Sequence, residues 1–420
     1  MLRVPGFRPF LLAAALARFS TSALAVLLGV TVYQLAHDPL ALAWLGLSMA
    51  TPAIALVLFG GHVADRHNRR IILILARLAM AILCSALAAV AVLAAADALL
   101  LLYAVAFLIG CVGAFANPAS AGVEAQVVPV EHALRGASVL ASTGQVAGLL
   151  GAPLGGFGYD LFGPAIIYPM LGLLCALSAL ALWQGVPARA AAPAGSFRLG
   201  MLANIAEGIR AVFADQRLIG SMALDLFAIF FGGVIGLLPL FATDILGVGS
   251  AGAGLLRAAA SAGTFVAIAI TLRHPPRRHA GIALHLAIAG FGLGIIVFGL
   301  STNFALSLAA LAFTGACDGV SVVVRQALVR LLAPEHMRGR IAAVRMVFVN
   351  SSNELGDVES GIAASLIGAA PAVALGGVIT IATAALTAWR APKLLWLDIG
   401  RVKPPGDHKR SPGDHKRSPG

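Results

Sequence analysis

Charge is scarce in this chain: Asp, Glu, Lys and Arg make up 11% of its 420 residues, while 60% are hydrophobic. That is far below the share of charge in a soluble domain, about a quarter, and far too apolar for a disordered chain. Cysteine is sparse too. Cys84, Cys111, Cys175 and Cys317 all fall inside apolar runs at no metal or redox spacing, where small packing roles are expected. There is no H-E-x-x-H pair, no phosphate-cradling glycine loop and no nucleophile with a base at usable spacing, so no enzyme, metal site or organic cofactor is expected.

What is abundant is membrane-length apolar sequence. At roughly 20 residues per crossing, twelve spans are predicted near 10–36, 40–60, 71–94, 97–119, 134–157, 163–184, 218–241, 250–272, 280–300, 303–327, 340–368 and 371–390. The first lacks a small-residue cleavage site and is read as a retained helix. The few charges are sorted by side. Arg3, Arg8, Arg66, Arg69, Arg70, Arg135, the group from Arg189 to Arg217, Arg273, Arg277, Arg278, Arg330, Arg338, Arg340 and the C-terminal tail share one face; the opposite connections carry Asp38, Asp97, Asp160 and Asp244 and no Lys or Arg. Basic residues are retained in short cytoplasmic loops, so both termini are predicted to be cytoplasmic. The net charge of +11 is therefore a topology signal and does not imply a nucleic-acid partner.

The spans form two sets of six. Pro129-Val130-Glu131-His132-Ala133-Leu134-Arg135-Gly136 before span 5 is echoed by Pro334-Glu335-His336-Met337-Arg338-Gly339 before span 11. The division expected is a six-helix bundle over 1–184, a linker with an amphipathic stretch over 185–217, a second bundle over 218–392 and a disordered basic tail over 393–420, which ends in a direct repeat.

Four places carry candidate chemistry. Gly61, Asp65, Arg66, Arg69 and Arg70 form G-x-x-x-D-R-x-x-R-R between spans 2 and 3. The carboxylate suits a helix N-terminus and the Arg residues suit clamps between segments, although the Arg residues could also serve only to fix topology. Span 5 concentrates Gly148, Gly151, Pro153, Gly155 and Gly156, a face for close helix approach with a bend. Span 11 carries Glu354, Asp357 and Glu359 within six residues, and a carboxylate at the bilayer centre is disfavoured by roughly 2.5–3.5 kcal/mol. Asn350, Glu354, Asp357 and Gly361 share a helical stripe, with Glu359 off it. The stripe either faces a central cavity and exchanges protons, or is buried against Arg345, Arg257 or Arg18. Arg18, Asp225 and Asp318 lie at similar depth, which predicts a salt-bridged cluster, either switching between states or static.

The loop motif resembles that between helices 2 and 3 of the major facilitator superfamily, with Asn68 where the family usually has Gly. The resemblance implies an all-α membrane fold of twelve helices in two six-helix pseudo-repeats. It also implies that helices 1, 4, 7 and 10 line the cavity and that Asp65 meets the start of helix 11, near Arg340. The span 5 residues are similar to the helix-5 motif of proton-driven exporters. Phe7-Arg8, Ala17-Arg18, Tyr33-Gln34-Leu35, Glu207-Gly208-Ile209-Arg210, Gly254-Leu255-Leu256-Arg257 and Gly339-Arg340 look like the branch of enterobactin and macrolide exporters. That branch implies a monomeric bacterial inner-membrane antiporter, driven by the proton gradient and acting on a siderophore or amphipathic drug. A lipid or lysophospholipid flippase of the same fold and a non-transporting receptor or scaffold are the alternatives.

Overall fold

A computed structural model describes residues 4, 6–93, 97–187, 207, 209–210, 212–274, 276, 278–332 and 337–398. Within these, the side chains of 57–58, 92–93, 130, 133–134, 338–340, 342–348, 350–351 and 354 fall outside the description. The chain builds α1 (Phe7–Ala36), α2 (Pro39–Arg66), α3 (Arg69–Leu93), α4 (Ala98–Val127), α5 (Ala133–Phe162) and α6 (Pro164–Gly185). The second set is α7 (Gln216–Gly232), α8 (Gly249–Arg273), α9 (Ala280–Leu300), α10 (Phe304–Leu332), α11 (Arg338–Ile367) and α12 (Ala369–Arg390), followed by the short α13 (Pro392–Leu395). No strand occurs among the described residues. Most of the 185–217 linker and all of the tail beyond 398 lie outside them.

Eleven described helical segments are long and apolar enough to cross a membrane. The twelfth, α11, is excluded by its charges, yet its 30 residues reach about 45 Å. It packs against α2, α7 and α12. The two sets repeat each other down to a turn: Gly163 (φ 72°) alone joins α5 to α6, and Gly368 (φ 89°) alone joins α11 to α12. Both hold a left-handed backbone that glycine adopts without strain. Asp38 caps α2 through Leu40 N (2.9 Å), and Asp215 caps α7 through Arg217 N (2.8 Å). The Arg217 guanidinium also binds Asp215 and holds its carboxyl below the usual carboxylate range.

Two local expectations are corrected. The segment 61–70 is not a loop: α2 runs on to Arg66 and α3 begins at Arg69, so only His67 and Asn68 interrupt the helix. The Asn68 side chain accepts from Arg70 N at 3.1 Å and starts α3. The seventh crossing is not one continuous helix either. After Gly232 the chain passes through single turns at Ile235–Leu237 and Leu238–Leu240 and a π turn at Phe241–Ile245. The Gly232-Gly233 pair supplies the weak point.

In the first half α1 packs on α5 and α6, α2 on α4, and α3 on α4 and α6; in the second, α7 packs on α11 and α12, α8 on α10, and α9 on α10 and α12. The halves meet through α2 with α11 and α5 with α8. Small residues set how near helices come. A Cβ at Gly263 of α8 would stand 2.8 Å from Ala312 C of α10, whereas one at Gly144 of α5 would meet nothing within 4 Å. Gly263→Val is therefore expected to cost about 1–3 kcal/mol by overpacking. A lower unfolding midpoint of the detergent-purified protein, with no loss for Gly144→Ala, is the result that checks it.

Candidate functional site

Between the two halves, where α1, α2, α8, α11 and the turns that follow α7 converge, lies a cavity of about 160 Å³. Its walls are apolar or small, with Leu42, Leu45, Gly46 and Met49 on α2 and Ala25 and Gly29 on α1. Its charged groups are Asp357 of α11 and Arg257 of α8. The break in α7 accounts for the position of Asp357. Interrupting the helix frees a backbone amide that lipid cannot satisfy, and Gly236 N donates to Asp357 Oδ1 at 3.0 Å. Arg257 adds its charge to the same carboxylate. Glu359 points elsewhere, its carboxylate 3.5 Å from Ser360 Oγ, while Ser360 donates to Gly233 O. The side chains of Glu354 and Arg345 lie outside the described residues.

A second ionic group sits wholly in the second half. Arg325 of α10 pairs with Asp225 of α7, the two side chains only 5% and 7% exposed. Its other amino group lies 3.7 Å from Asp318, which is 34% exposed, and its Nε donates to Ser321 O at 3.2 Å. Asp225 and Asp318 are thus brought together by one guanidinium, and Arg18 is not part of the group. Arg18 is exposed on α1, where a Cβ at Gly148 of α5 would stand 3.3 Å from its Nε. Arg325 had a legible signal: it follows Asp318 by seven residues, two turns along one helical face.

On the side bearing Asp38, Asp97, Asp160 and Asp244, the halves are stitched together. Tyr33 of α1 donates to Asp244. Thr31 bonds Tyr168 at 2.7 Å and Tyr159 at 3.2 Å, and Tyr159 donates to Gln34 at 3.1 Å, bracing α1, α5 and α6 behind it. Asp160, at the end of α5, accepts from Ala251 N at 2.8 Å and Ser250 N at 3.3 Å in the first turn of α8, where the helix dipole favours an anion. The span 5 glycines make the close approach: Gly151 and Gly155 face α1, and Gly156 faces α8, where its Cβ would meet Ala251 Cα at 3.0 Å. Pro153 lies against Gly254 of α8. Asp160 and Asp244 were read from sequence only as side markers; the contacts they make join residues of opposite halves, which no local pattern reveals.

Toward the basic side Arg18 is exposed, and a Cβ at Gly144 would meet nothing within 4 Å. There the α2–α3 motif binds within its own half. Arg69 pairs with Asp65 at 2.8 Å and donates through Nε to Ala64 O at 3.1 Å. Arg70 donates to Leu182 O at 3.2 Å and to Trp183 O, and lies 5.5 Å over the Trp183 ring, tying α3 to α6. Arg66 is exposed and a Cβ at Gly61 would meet nothing within 4 Å. The side chain of Arg340, expected opposite Asp65, lies outside the described residues.

Residues 10–356 match the family model of the Major Facilitator Superfamily. Similar solved structures include a bacterial homolog of the human lysosomal transporter Spinster (TM-score 0.68, 18% identity, 93% of this chain and 95% of that one) and a POT family transporter in complex with 5-aminolevulinic acid (0.73, 13%, 93% and 97%). The nucleoside transporter NupG is a third (0.70, 12%, 91% and 98%). At these identities the likeness is one of fold. No curated protein matches the chain.

Removing one partner from the buried pair leaves an uncompensated charge, at a cost of about 3–5 kcal/mol. Arg325→Ala is therefore expected to lower the unfolding midpoint strongly. Arg325→Met combined with Asp225→Asn recovers most of that loss, and a double variant no better than the single would contradict the pairing.

Proposed function

This chain belongs to the Major Facilitator Superfamily, which makes it a membrane transporter and not an enzyme, and on that footing we propose that it exports an amphipathic small molecule from the cytoplasm in exchange for protons. The observation that carries this reading is the placement of Asp357 and Arg257 in the cavity between the halves. A carboxylate held there by the Gly236 amide and the charge of Arg257 can release them, take a proton and return, whereas a group sealed inside one bundle cannot reach both sides. Asp318, partly exposed at the edge of the Arg325 pair, is a second proton carrier, with Glu354 a third on the stripe of α11.

In the proposed cycle the basic side is the cytoplasm of a bacterial inner-membrane protein, acting as a monomer with both termini inside. Substrate enters the cleft beside Arg18 while the acidic-side seam is closed. When the Asp160 and Tyr33 contacts part, the halves rock, the cavity meets the outer phase, protons load the carboxylates and substrate leaves. Asp65, Arg66, Arg69 and Arg70 keep the cytoplasmic ends of α2, α3 and α6 in register as the cleft shuts. The small-residue face of α5, similar to that of proton-driven exporters, supports export over uptake. The few aromatics and the lack of a dense acidic patch in the sequence suit a siderophore, macrolide or comparable amphipathic molecule better than a polyvalent metal cation.

A substrate found by thermal-shift screening of siderophores and macrolides is to be followed in proteoliposomes under an imposed pH gradient. The gradient is expected to accelerate flux through the native chain, while Asp357→Asn and Glu354→Gln leave downhill flux and abolish the acceleration. If both variants respond to the gradient as the native chain does, the proton assignment is wrong.

A further inference from the structure

A second hollow, of about 410 Å³, lies on the outer flank of the second half, between α7 and α12. It is separate from the transport path: Ala223 lines it, and Asp225, two residues on, points about 200° away around the helix. Ile219, Ala223, Phe227 and Phe231 form one wall and Leu386 the other. Phe227 and Leu386 are exposed (42% and 54%), so the hollow opens sideways onto the bilayer. From Gln216 to Phe231 it runs about 22 Å along α7, half of the roughly 40–45 Å of a whole bilayer.

Its basic-side end is polar and carries positive charge. Gln216 Nε2 donates to Arg390 O at 2.7 Å, which pins the end of α12 to the start of α7. The Arg390 guanidinium stays exposed, 5.2 Å over the Trp389 ring, and Lys393 is exposed beyond it. Trp389 and Trp396, 73% and 69% exposed, mark headgroup depth. The nearby carboxylate, Asp215, is occupied by Arg217 at 2.7 Å. The described flanking segments lead away from the groove: Val212 is buried with Leu218, Val329 and Ile341, so the chain enters α7 from the α10 and α11 side. Leu397 O accepts from Gly281 N, so the chain leaves α13 beside α9.

We propose that this groove binds one anionic phospholipid, with an acyl chain laid along Ile219 to Phe231 and the headgroup phosphate on Arg390 and Lys393. Length, sideways opening and charge at headgroup depth each match that ligand. Because the groove ends at Phe231, the acyl chain braces α7 up to its break, one turn short of the Gly236 amide that holds Asp357.

The test is photolabelling of the full chain in phosphatidylcholine vesicles containing a little phosphatidylglycerol with a diazirine in one acyl chain. Label is expected on α7 and α12 groove peptides, displaced by plain phosphatidylglycerol but not by added phosphatidylcholine or inorganic phosphate. Arg390→Gln with Lys393→Gln reduces the groove label at least about fivefold per charge removed. Arg390→Lys retains it, and Ala223→Phe, which fills the groove, abolishes it. Background label at exposed Ile82 of α3 stays constant in all variants, reporting an intact fold. The proposal is overturned if phosphatidylcholine competes equally, if the double Gln variant labels as the native chain does, or if inorganic phosphate displaces the label. No flux is measured, so the result is independent of the transport reading.

Discussion

A charge inside a bilayer has to find a partner within the protein, and that requirement fixes which helices move together. Arg325 binds Asp225 across α7 and α10 and reaches Asp318, so breaking the group costs about 3–5 kcal/mol. The ties between the halves are of another kind. Tyr33 with Asp244, Asp160 with two amides of α8 and glycine faces in van der Waals contact are hydrogen bonds of about 1–3 kcal/mol each when charge-assisted and weak dispersion contacts otherwise. The weaker set gives way first. The halves can therefore part on the acidic side while each bundle stays whole, which is the mechanical condition for moving a site from one face of a membrane to the other.

The repeat is faithful in topology and unequal in chemistry. The same one-glycine turn closes helices five and six of each half, yet α1 runs unbroken for 30 residues where α7 stops at Gly232. The cavity reflects this difference. The first half offers apolar and small side chains from α1 and α2, and the second supplies both charges together with the freed amide of Gly236. On the basic side, Asp65, Arg69 and Arg70 bond within the first half, and Arg18 is exposed on α1.

The architecture was legible because a bilayer demands long apolar runs and sorts basic residues by side, and both leave marks over many residues. Of the polar stripe of α11, Asp357 lies in the cavity, in keeping with the need of a carboxylate in such a run for a protein or water-filled environment, while the side chains of Asn350 and Glu354 lie outside the described residues. Pairing was not legible. Arg18 was grouped with Asp225 and Asp318 by depth alone, but depth says nothing of azimuth, and Arg325 on the same face as Asp318 took that place. The break in α7 hid inside an apolar stretch in which the Gly232-Gly233 pair looked like ordinary packing residues. Asp160 and Asp244 carried a topology signal that masked their contacts with the opposite half. The helical run to Arg66 was obscured because the polar end of a helix that leaves the membrane reads like a loop.

The central claim is that the cavity holding Asp357 and Arg257 is reached from the basic side and is shut off from the acidic side by the Tyr33 and Asp160 contacts. Side-specific labelling tests it directly: Met49→Cys, placed on the cavity wall in a chain whose four native cysteines are replaced by Ser, is exposed to a membrane-impermeant maleimide in oriented vesicles. Labelling is predicted from the basic side alone, with labelling from the acidic side emerging once Tyr33→Phe and Asp160→Asn loosen the seam. A cysteine that reacts from neither side, or whose acidic-side reactivity ignores the seam variants, would contradict the account.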